Sequence, residues 1–437
     1  MGEFIAKPMK SEIGIPKNYG LKRFAQQQDP GELLFLLIVF VLCPFLAFIL
    51  ALTRARNNSS YVIYALFGLI FVWHMSDRGS TTYDDFIGII SRVKNSSYSF
   101  DEIKEQLWLL VTFNVDAPKE WYEMAMIWLS KCFTDNPHFY FVLCAVPWLF
   151  FELSSLRKIT SDFKFSQSLI CLVILALFVM PRDIITLQNP RFTTATWMAI
   201  YSTIGFFSTS SKNHKVLYLL LILATPLIHS GFWFYVIIFP LGLFMIRFQK
   251  VSLWLLYLSI PFSFLSYDIF SSVNLSVLPI PTALNAWVEI YLSEESYAQY
   301  ISHAGASGFY WIGIVFSFIM KTAYLLIPIY LIKDKQEYAE NKKLSGFVAF
   351  FIFFYAAVSF IQFVPVLGTR FYWLVRILGI YLWFKAIFPR RNWVIWLILS
   401  SCTYDIFMRY FYNGAVKVAV PPGIWYEPLP LLIMDNL

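Results

Sequence analysis

Ten ionisable residues fall inside apolar runs of this sequence or close against their ends: Arg182, Asp183, Arg191, His229, Glu289, Lys321, Arg370, Arg376, Asp405 and Arg409. An ionised side chain is costly in lipid, so each needs a cavity or a partner. Arg182, Arg191 and Arg370 stand at run ends on one side, and Arg376 lies further into its run. Guanidinium forks match phosphate oxygens bidentately, so these arginines converging on one cavity would hold a diphosphate and neutralise its charge. For any one of them alone, snorkelling to headgroups is the competing role. Asp405 and Arg409 are four apart, a spacing at which they would be expected to pair with each other on one helix.

His229 closes the apolar run Leu217–Ile228 and is followed at once by Ser230 and Gly231. In such a hairpin an imidazole can deprotonate a hydroxyl, although a lone histidine there more often packs structurally. Asp84, Asp85, Glu120 and Glu123 lie together in a polar excursion and offer carboxylates for the same proton or for hydroxyl hydrogen bonds. Acids in a water-facing loop more often only solvate it.

The elements that must position these groups are apolar helices. Hydrophobic residues make up 58% of the 437 and charged residues only 14%, too little polar surface to solvate a chain of this length. The run Leu33–Thr53 carries no charge at all and is long enough to span a bilayer core, which takes roughly 20 residues as a helix. Helices are expected because hydrocarbon offers the backbone no partners. The fold class is therefore all-α, a polytopic membrane protein. Apolar runs fall near residues 32–53, 61–74, 137–154, 166–180, 191–208, 215–229, 231–247, 252–269, 309–332, 345–366, 371–388 and 393–411, about twelve spans.

Charge supports that alternation. Arg54/Arg56, Arg157/Lys158/Lys164, Lys212/Lys215, Arg247/Lys250, Lys333/Lys335/Lys342/Lys343 and Arg390/Arg391 fall at every second loop, which marks one face as cytoplasmic. The opposite face receives two long loops, 75–136 and 270–308, in which Ser99–Val115, Trp121–Phe133 and Tyr291–Tyr300 read as short interfacial helices. The expected organisation is a basic segment 1–30, one transmembrane domain 31–411 and a tail 412–437. One stretch conflicts with it: Lys7, Lys10, Lys17, Lys22 and Arg23 would sit outside, so that either the segment lies along the headgroups or a span is miscounted.

Several chemistries lack a signal. The sequence has no GxxxxGK[ST], no HExxH, no DxD for a metal–nucleotide-sugar complex and no CxxC, so no metal and no cofactor are expected. The five cysteines show no paired spacing and read as packing residues. The net charge of +7 is spread among loops rather than gathered in a basic block, which argues against a nucleic-acid partner. The first thirty residues hold no apolar run and no small-residue cleavage site, so a removable signal peptide is not expected.

The order of these features resembles the Wzy/EpsG family of O-antigen, capsule and exopolysaccharide polymerases over roughly residues 30–390. The resemblance rests on Gly79-Ser80-Thr81-Thr82-Tyr83-Asp84-Asp85-Phe86, Glu120-Trp121-Tyr122-Glu123, Asn189-Pro190-Arg191-Phe192-Thr193-Thr194-Ala195, Ile228-His229-Ser230-Gly231-Phe232 and Arg370-Phe371-Tyr372. Each motif is short, and their weight comes from order and membrane side. In the first, the tyrosine precedes the aspartates instead of following them, which leaves Asp84 and Asp85 both open as the equivalent acid.

The resemblance implies metal-independent transfer of a growing glycan from undecaprenyl diphosphate to a sugar hydroxyl on a second lipid-linked repeat, on the outer face of a bacterial plasma (inner) membrane. Arg191, Arg370, Arg182 and Arg376 would take the diphosphate, and His229, Asp85 or Glu123 the catalytic proton. A chain-length regulator is a partner expected of the family. Three rivals stand beside this reading. A secondary transporter or flippase would use Lys321 and Arg376, though no internal symmetry supports it. An O-antigen ligase or another membrane glycosyl- or acyltransferase would keep the donor and change the acceptor. A non-catalytic scaffold subunit would do neither.

Overall fold

The structure is a computed structural model that describes residues 30–54, 57–74, 85–112, 121–161, 190–262, 315, 342–362, 365–383 and 422–434. Every regular element among them is helical. Three helical segments, Pro137–Ile159, Ser230–Pro261 and Lys343–Phe360, are long and apolar enough to cross a bilayer and mark the chain as a membrane protein. The runs expected at 166–180, 309–332 (Val315 apart) and 393–411, the loop 270–308, and Arg182, Asp183, Glu289, Lys321, Asp405 and Arg409 lie outside the described residues.

The first apolar run differs from its sequence reading. It is not one span but two short helices, α1 (Pro30–Leu42) and α2 (Pro44–Thr53), folded against each other. Pro44 has no N–H to continue the helix and disfavours helical backbone at the residue before it, and Cys43 is accordingly extended at φ −160°, ψ 98°. The two ends of the hairpin then meet. Glu32 Oε1 accepts from Arg54 Nη1 at 3.0 Å, and its Oε2 accepts from Asn57 Nδ2 at 2.7 Å. In a continuous helix residues 32 and 54 would stand roughly 33 Å apart. The chain therefore enters α1 and leaves α2 at the same end of the bundle. Tip and tail also touch, because the 3-10 turn Pro422–Trp425 packs on α2, with the Phe45 and Trp425 rings edge to face at 4.9 Å. A last short helix, Leu429–Met434, lies against α1.

From Asn57 the chain rises through α3 (Asn58–Trp73) and continues through three short helices, α4 (Asp85–Asn95), α5 (Phe100–Val111) and α6 (Trp121–Lys131). Helices α5 and α6 fall on two of the expected interfacial stretches, whereas α4 had no counterpart in the sequence reading. Ser99 and Glu102 close α5 with a reciprocal capping box. The descending helix α7 (Pro137–Ser161) packs on α3, where Gly68 permits the approach: a Cβ there would stand 2.7 Å from Leu149 Cδ2.

Helix α8 (Pro190–Ser208) is the axis of the described bundle, buried on nearly every side and packed against α7 and α9 (Lys212–Ile228). Three of its hydroxyl groups are reconciled with that burial by bonding back along the helix, Thr194 to Pro190 O at 2.8 Å, Ser202 to Met198 O and Thr203 to Ala199 O at 2.7 Å each. Beyond the turn at Ser230–Phe232 come α10 (Trp233–Met245) and α11 (Gln249–Phe262), separated by a 3-10 turn at Ile246–Phe248. Both halves pack on α12 (Lys342–Phe360), which is followed by α13 (Pro365–Leu382). Aromatic rings fill these contacts, with Phe207 stacked on Phe347 at 4.9 Å and Phe239 against Phe350 at 5.0 Å.

The ends of these helices sort by charge. Arg54, Arg157, Lys158, Lys212 and Lys343 gather at one end, where Arg157 Nη2 donates to Asn58 Oδ1 and Lys343 Nζ donates to Ser208 O. The other end receives the starts of α7, α8 and α13 and the turn after α9.

Candidate functional site

At that second end a single carboxylate organises two arginines. Glu123, in the first turn of α6, is 3% exposed, and Arg191, second residue of α8, is 4% exposed. Arg191 Nη1 lies 2.8 Å from Glu123 Oε2. Arg92, reaching in from α4, donates from Nε to Glu123 Oε1 and from Nη2 to Oε2 at 3.4 Å. A carboxylate buried this deeply needs such partners, because desolvation would otherwise outweigh its retention. Position matters as well. Pro190 at the first position of α8 presets the backbone there, and a cation at a helix N-terminus opposes the helix dipole, so the adjacent Glu123 compensates Arg191 in two ways. Tyr122, the neighbour of Glu123, is buried, and burial holds its phenol well above the ordinary range.

His229 stands in the turn beyond the last residue of α9, with extended backbone at φ −147°, ψ 118°. Its Nδ1 accepts the Gly231 N–H at 3.1 Å, an interaction that starts the 3-10 turn Ser230–Phe232. Burial first, then the guanidiniums of Arg370 and Arg191, push its pKa well below the ordinary histidine value, so the ring is neutral near pH 7. A neutral imidazole whose Nδ1 is an acceptor carries its proton on Nε2, a tautomer assigned here from the hydrogen-bond pattern. His229 therefore presents an N–H donor.

Phe192 joins the two halves of the site. The Arg370 guanidinium lies over its ring at 5.3 Å, and the His229 ring meets it edge to face at 5.4 Å. Phe232 and Phe371 close the apolar floor, with ring centroids 5.3 Å apart. Arg376 lies six residues beyond Arg370 on α13, roughly 9 Å deeper.

Of the residues singled out from sequence, the structure brings Glu123, Arg191, His229 and Arg370 together at one helix mouth. Asp85 is the first residue of α4, seven before Arg92. Arg182, like Asp84 and Glu120, falls outside the described residues. Sequence reasoning missed Arg92 and Phe192. Arg92 sits on the helix that was not foreseen, and the cue that could have found it is that a buried Glu123 beside Arg191 would leave an oxygen in need of a second cation. No group of histidines, cysteines and acids able to hold a metal occurs among the described residues.

Among the described residues, the guanidiniums of Arg370 and Arg191 both act on the neutral N–H donor His229, and Arg191 shares Glu123 with Arg92. Such a set can bind a dianionic group or stabilise developing negative charge. Comparison with protein-family models, with curated protein sequences and with solved structures returns no match.

Proposed function

We propose that this protein is a membrane glycosyltransferase of the Wzy-like kind, joining a growing glycan carried on undecaprenyl diphosphate to a hydroxyl of a second lipid-linked repeat. The observation that carries the reading is the convergence of Arg191 and Arg370 at one helix mouth, beside the neutral His229. In this scheme the acceptor oxygen bonds to the anomeric carbon as the bond from that carbon to the diphosphate oxygen breaks. Arg370 and Arg191 neutralise the departing diphosphate, and Nε2–H of His229 donates to one of its oxygens. Both oxygens of Glu123 are engaged by guanidiniums, which makes it a positioning residue for Arg191 and Arg92. The acceptor proton then goes to a first-loop carboxylate, and Asp85, at the start of the helix that carries Arg92, is our choice. The orientation that fits puts the end bearing Arg54, Arg157 and Lys212 in the cytoplasm, by the positive-inside rule, and the site on the outer face of a bacterial inner membrane.

The test is the glycan ladder of a cell lacking the gene, complemented with wild type or with Arg370→Ala at equal membrane abundance. Arg370 stacks on a ring and is only partly buried, so its removal disturbs the fold less than that of Arg191. Long chains with wild type and single lipid-linked repeats with the variant are expected, a loss on the order of 100-fold or more for one charge-stabilising donor. Long chains persisting without the gene would end this reading. One observation favours a second reading, transport of a lipid-linked anion: Glu152 is fully buried within apolar α7, where acids commonly mark ion pathways. Lipid scrambling by the purified protein in vesicles, abolished by Glu152→Gln, would support transport instead.

A further inference from the structure

We propose that Phe192 is a positioning residue for glycosyl transfer, its ring holding the guanidinium of Arg370 and the imidazole of His229 in fixed relation so that both meet the departing diphosphate. This role presupposes the glycosyl-transfer reading, and Phe192, 3% exposed, fills it from beneath the site through its neighbours. Arg191 and Phe192 are consecutive in the first turn of α8, and the roughly 100° between successive helical residues sends their side chains apart. Arg191 reaches Glu123 on α6, whereas Phe192 meets Arg370 of α13 and His229 in the turn after α9. Both guanidiniums act on His229, so two like charges are brought toward one group and each needs an anchor of its own. Glu123 anchors Arg191. The face of the Phe192 ring attracts Arg370, whose guanidinium stands 5.3 Å from its centroid, inside the range of a cation–π contact.

The contacts around Phe192 close into a circuit. Its ring meets His229 at 5.4 Å and Phe232 at 5.7 Å, and Phe232 in turn meets His229 at 6.2 Å and Phe371 at 5.3 Å. Phe371 follows Arg370 in the chain, which returns the circuit to the guanidinium over Phe192. Helix α8, the 3-10 turn and α13 are thereby fixed against one another by rigid rings, as a preorganised site requires. An aliphatic side chain at position 192 would fill the same space. It would lack the negative ring face, and with it the attraction that draws Arg370 to this spot.

The test separates ring charge from ring bulk. Nonsense suppression at position 192 introduces phenylalanines carrying one, two or three ring fluorines, or cyclohexylalanine, all of which keep the six-membered ring while draining its face of negative charge. The purified full chain in liposomes is given the lipid-linked repeat extracted from cells lacking the gene, and turnover is followed alongside the thermal midpoint. Turnover should fall stepwise with each fluorine, to roughly tenfold below wild type with three and about as far with cyclohexylalanine, the size of one partly desolvated cation–π contact. In an Arg370→Gln background the same series should leave both the midpoint and the residual turnover level, because the ring then faces no guanidinium from α13. A loss that ignores fluorine number, or one that persists in Arg370→Gln, marks a ring used only for packing and overturns the proposal. So does a graded fall in midpoint with turnover unchanged. No turnover by wild type ends the glycosyl-transfer reading and this role with it, whereas a flat fluorine series on an active protein ends this role alone.

Discussion

The two ends of the bundle handle arginine and glutamate in opposite ways. At one end Glu123 and Arg191 meet at 3% and 4% exposure, with Arg92 completing the network. At the other, Glu32 meets Arg54 at 10% and 48%, open enough for water to share the work. A buried ion network gives weak net stability against an apolar substitute, yet removal of one member leaves a bare charge in a low-dielectric interior. A surface pair is nearly neutral in either direction. The contrast teaches that the first end retains charge where it is expensive to keep, as expected for a site that must present cations to a ligand, while the second uses charge mainly to close a hairpin.

The largest effect should follow from breaking the buried network. Arg191→Ala leaves Glu123 with Arg92 alone, and a loss of about 3–5 kcal/mol is expected. In practice that means a thermal midpoint lowered by many degrees in detergent and poor recovery in membranes. Arg191→Lys keeps the charge without the planar fork and should fall between the two. If Arg191→Ala unfolds at the wild-type temperature, the Glu123 pair contributes little and the contrast between the ends disappears.

How much of this was legible beforehand depends on what each feature needs. Apolar composition alone determines helices, and α7 and α12 follow from uninterrupted runs that a bilayer requires. Arg191 and His229 were visible because a charge or an imidazole at the edge of an apolar run is an exception to the pattern. Arg92 was not visible, because an arginine in a polar excursion looks like any solvated cation until the fold brings it to Glu123. The hairpin of α1 and α2 was hidden for a different reason. Hydropathy counts apolar residues and is blind to direction, so Cys43-Pro44 disappeared inside a run long enough for one span. That reversal also bears on the conflict over Lys7, Lys10, Lys17, Lys22 and Arg23, since the chain enters α1 at the end that carries Arg54.

A smaller effect sharpens the comparison through pH. His229 is neutral in the folded protein well below the pH at which an ordinary histidine is protonated. Above about pH 6.5 it is neutral folded and unfolded alike, and its contribution to stability is fully present. As the pH falls below that value the unfolded chain takes up a proton that the folded chain refuses. Stability then declines, by at most about 1.4 kcal/mol per pH unit, until the depressed folded value is reached. Thermal midpoints compared from pH 8 to pH 5 should show this slope in wild type and lose part of it in His229→Gln. Equal slopes in the two proteins would mean that His229 is not held neutral by its surroundings.

The smallest effect belongs to the hairpin. Glu32→Gln removes the charge that faces Arg54 but keeps an amide able to bond Asn57, and because Arg54 is half exposed the cost should be below about 1 kcal/mol. Membrane sidedness is the sharper measurement. In a background without native cysteines, single cysteines replacing Gly31 and Thr53 should react with an impermeant maleimide from the same side of sealed vesicles, because the break before Pro44 turns the chain and both positions lie at one end. A continuous span would expose them on opposite sides. Should they label oppositely, the Glu32–Arg54 bond cannot exist in the membrane, and the second end of the bundle loses the contact that distinguishes it from the first.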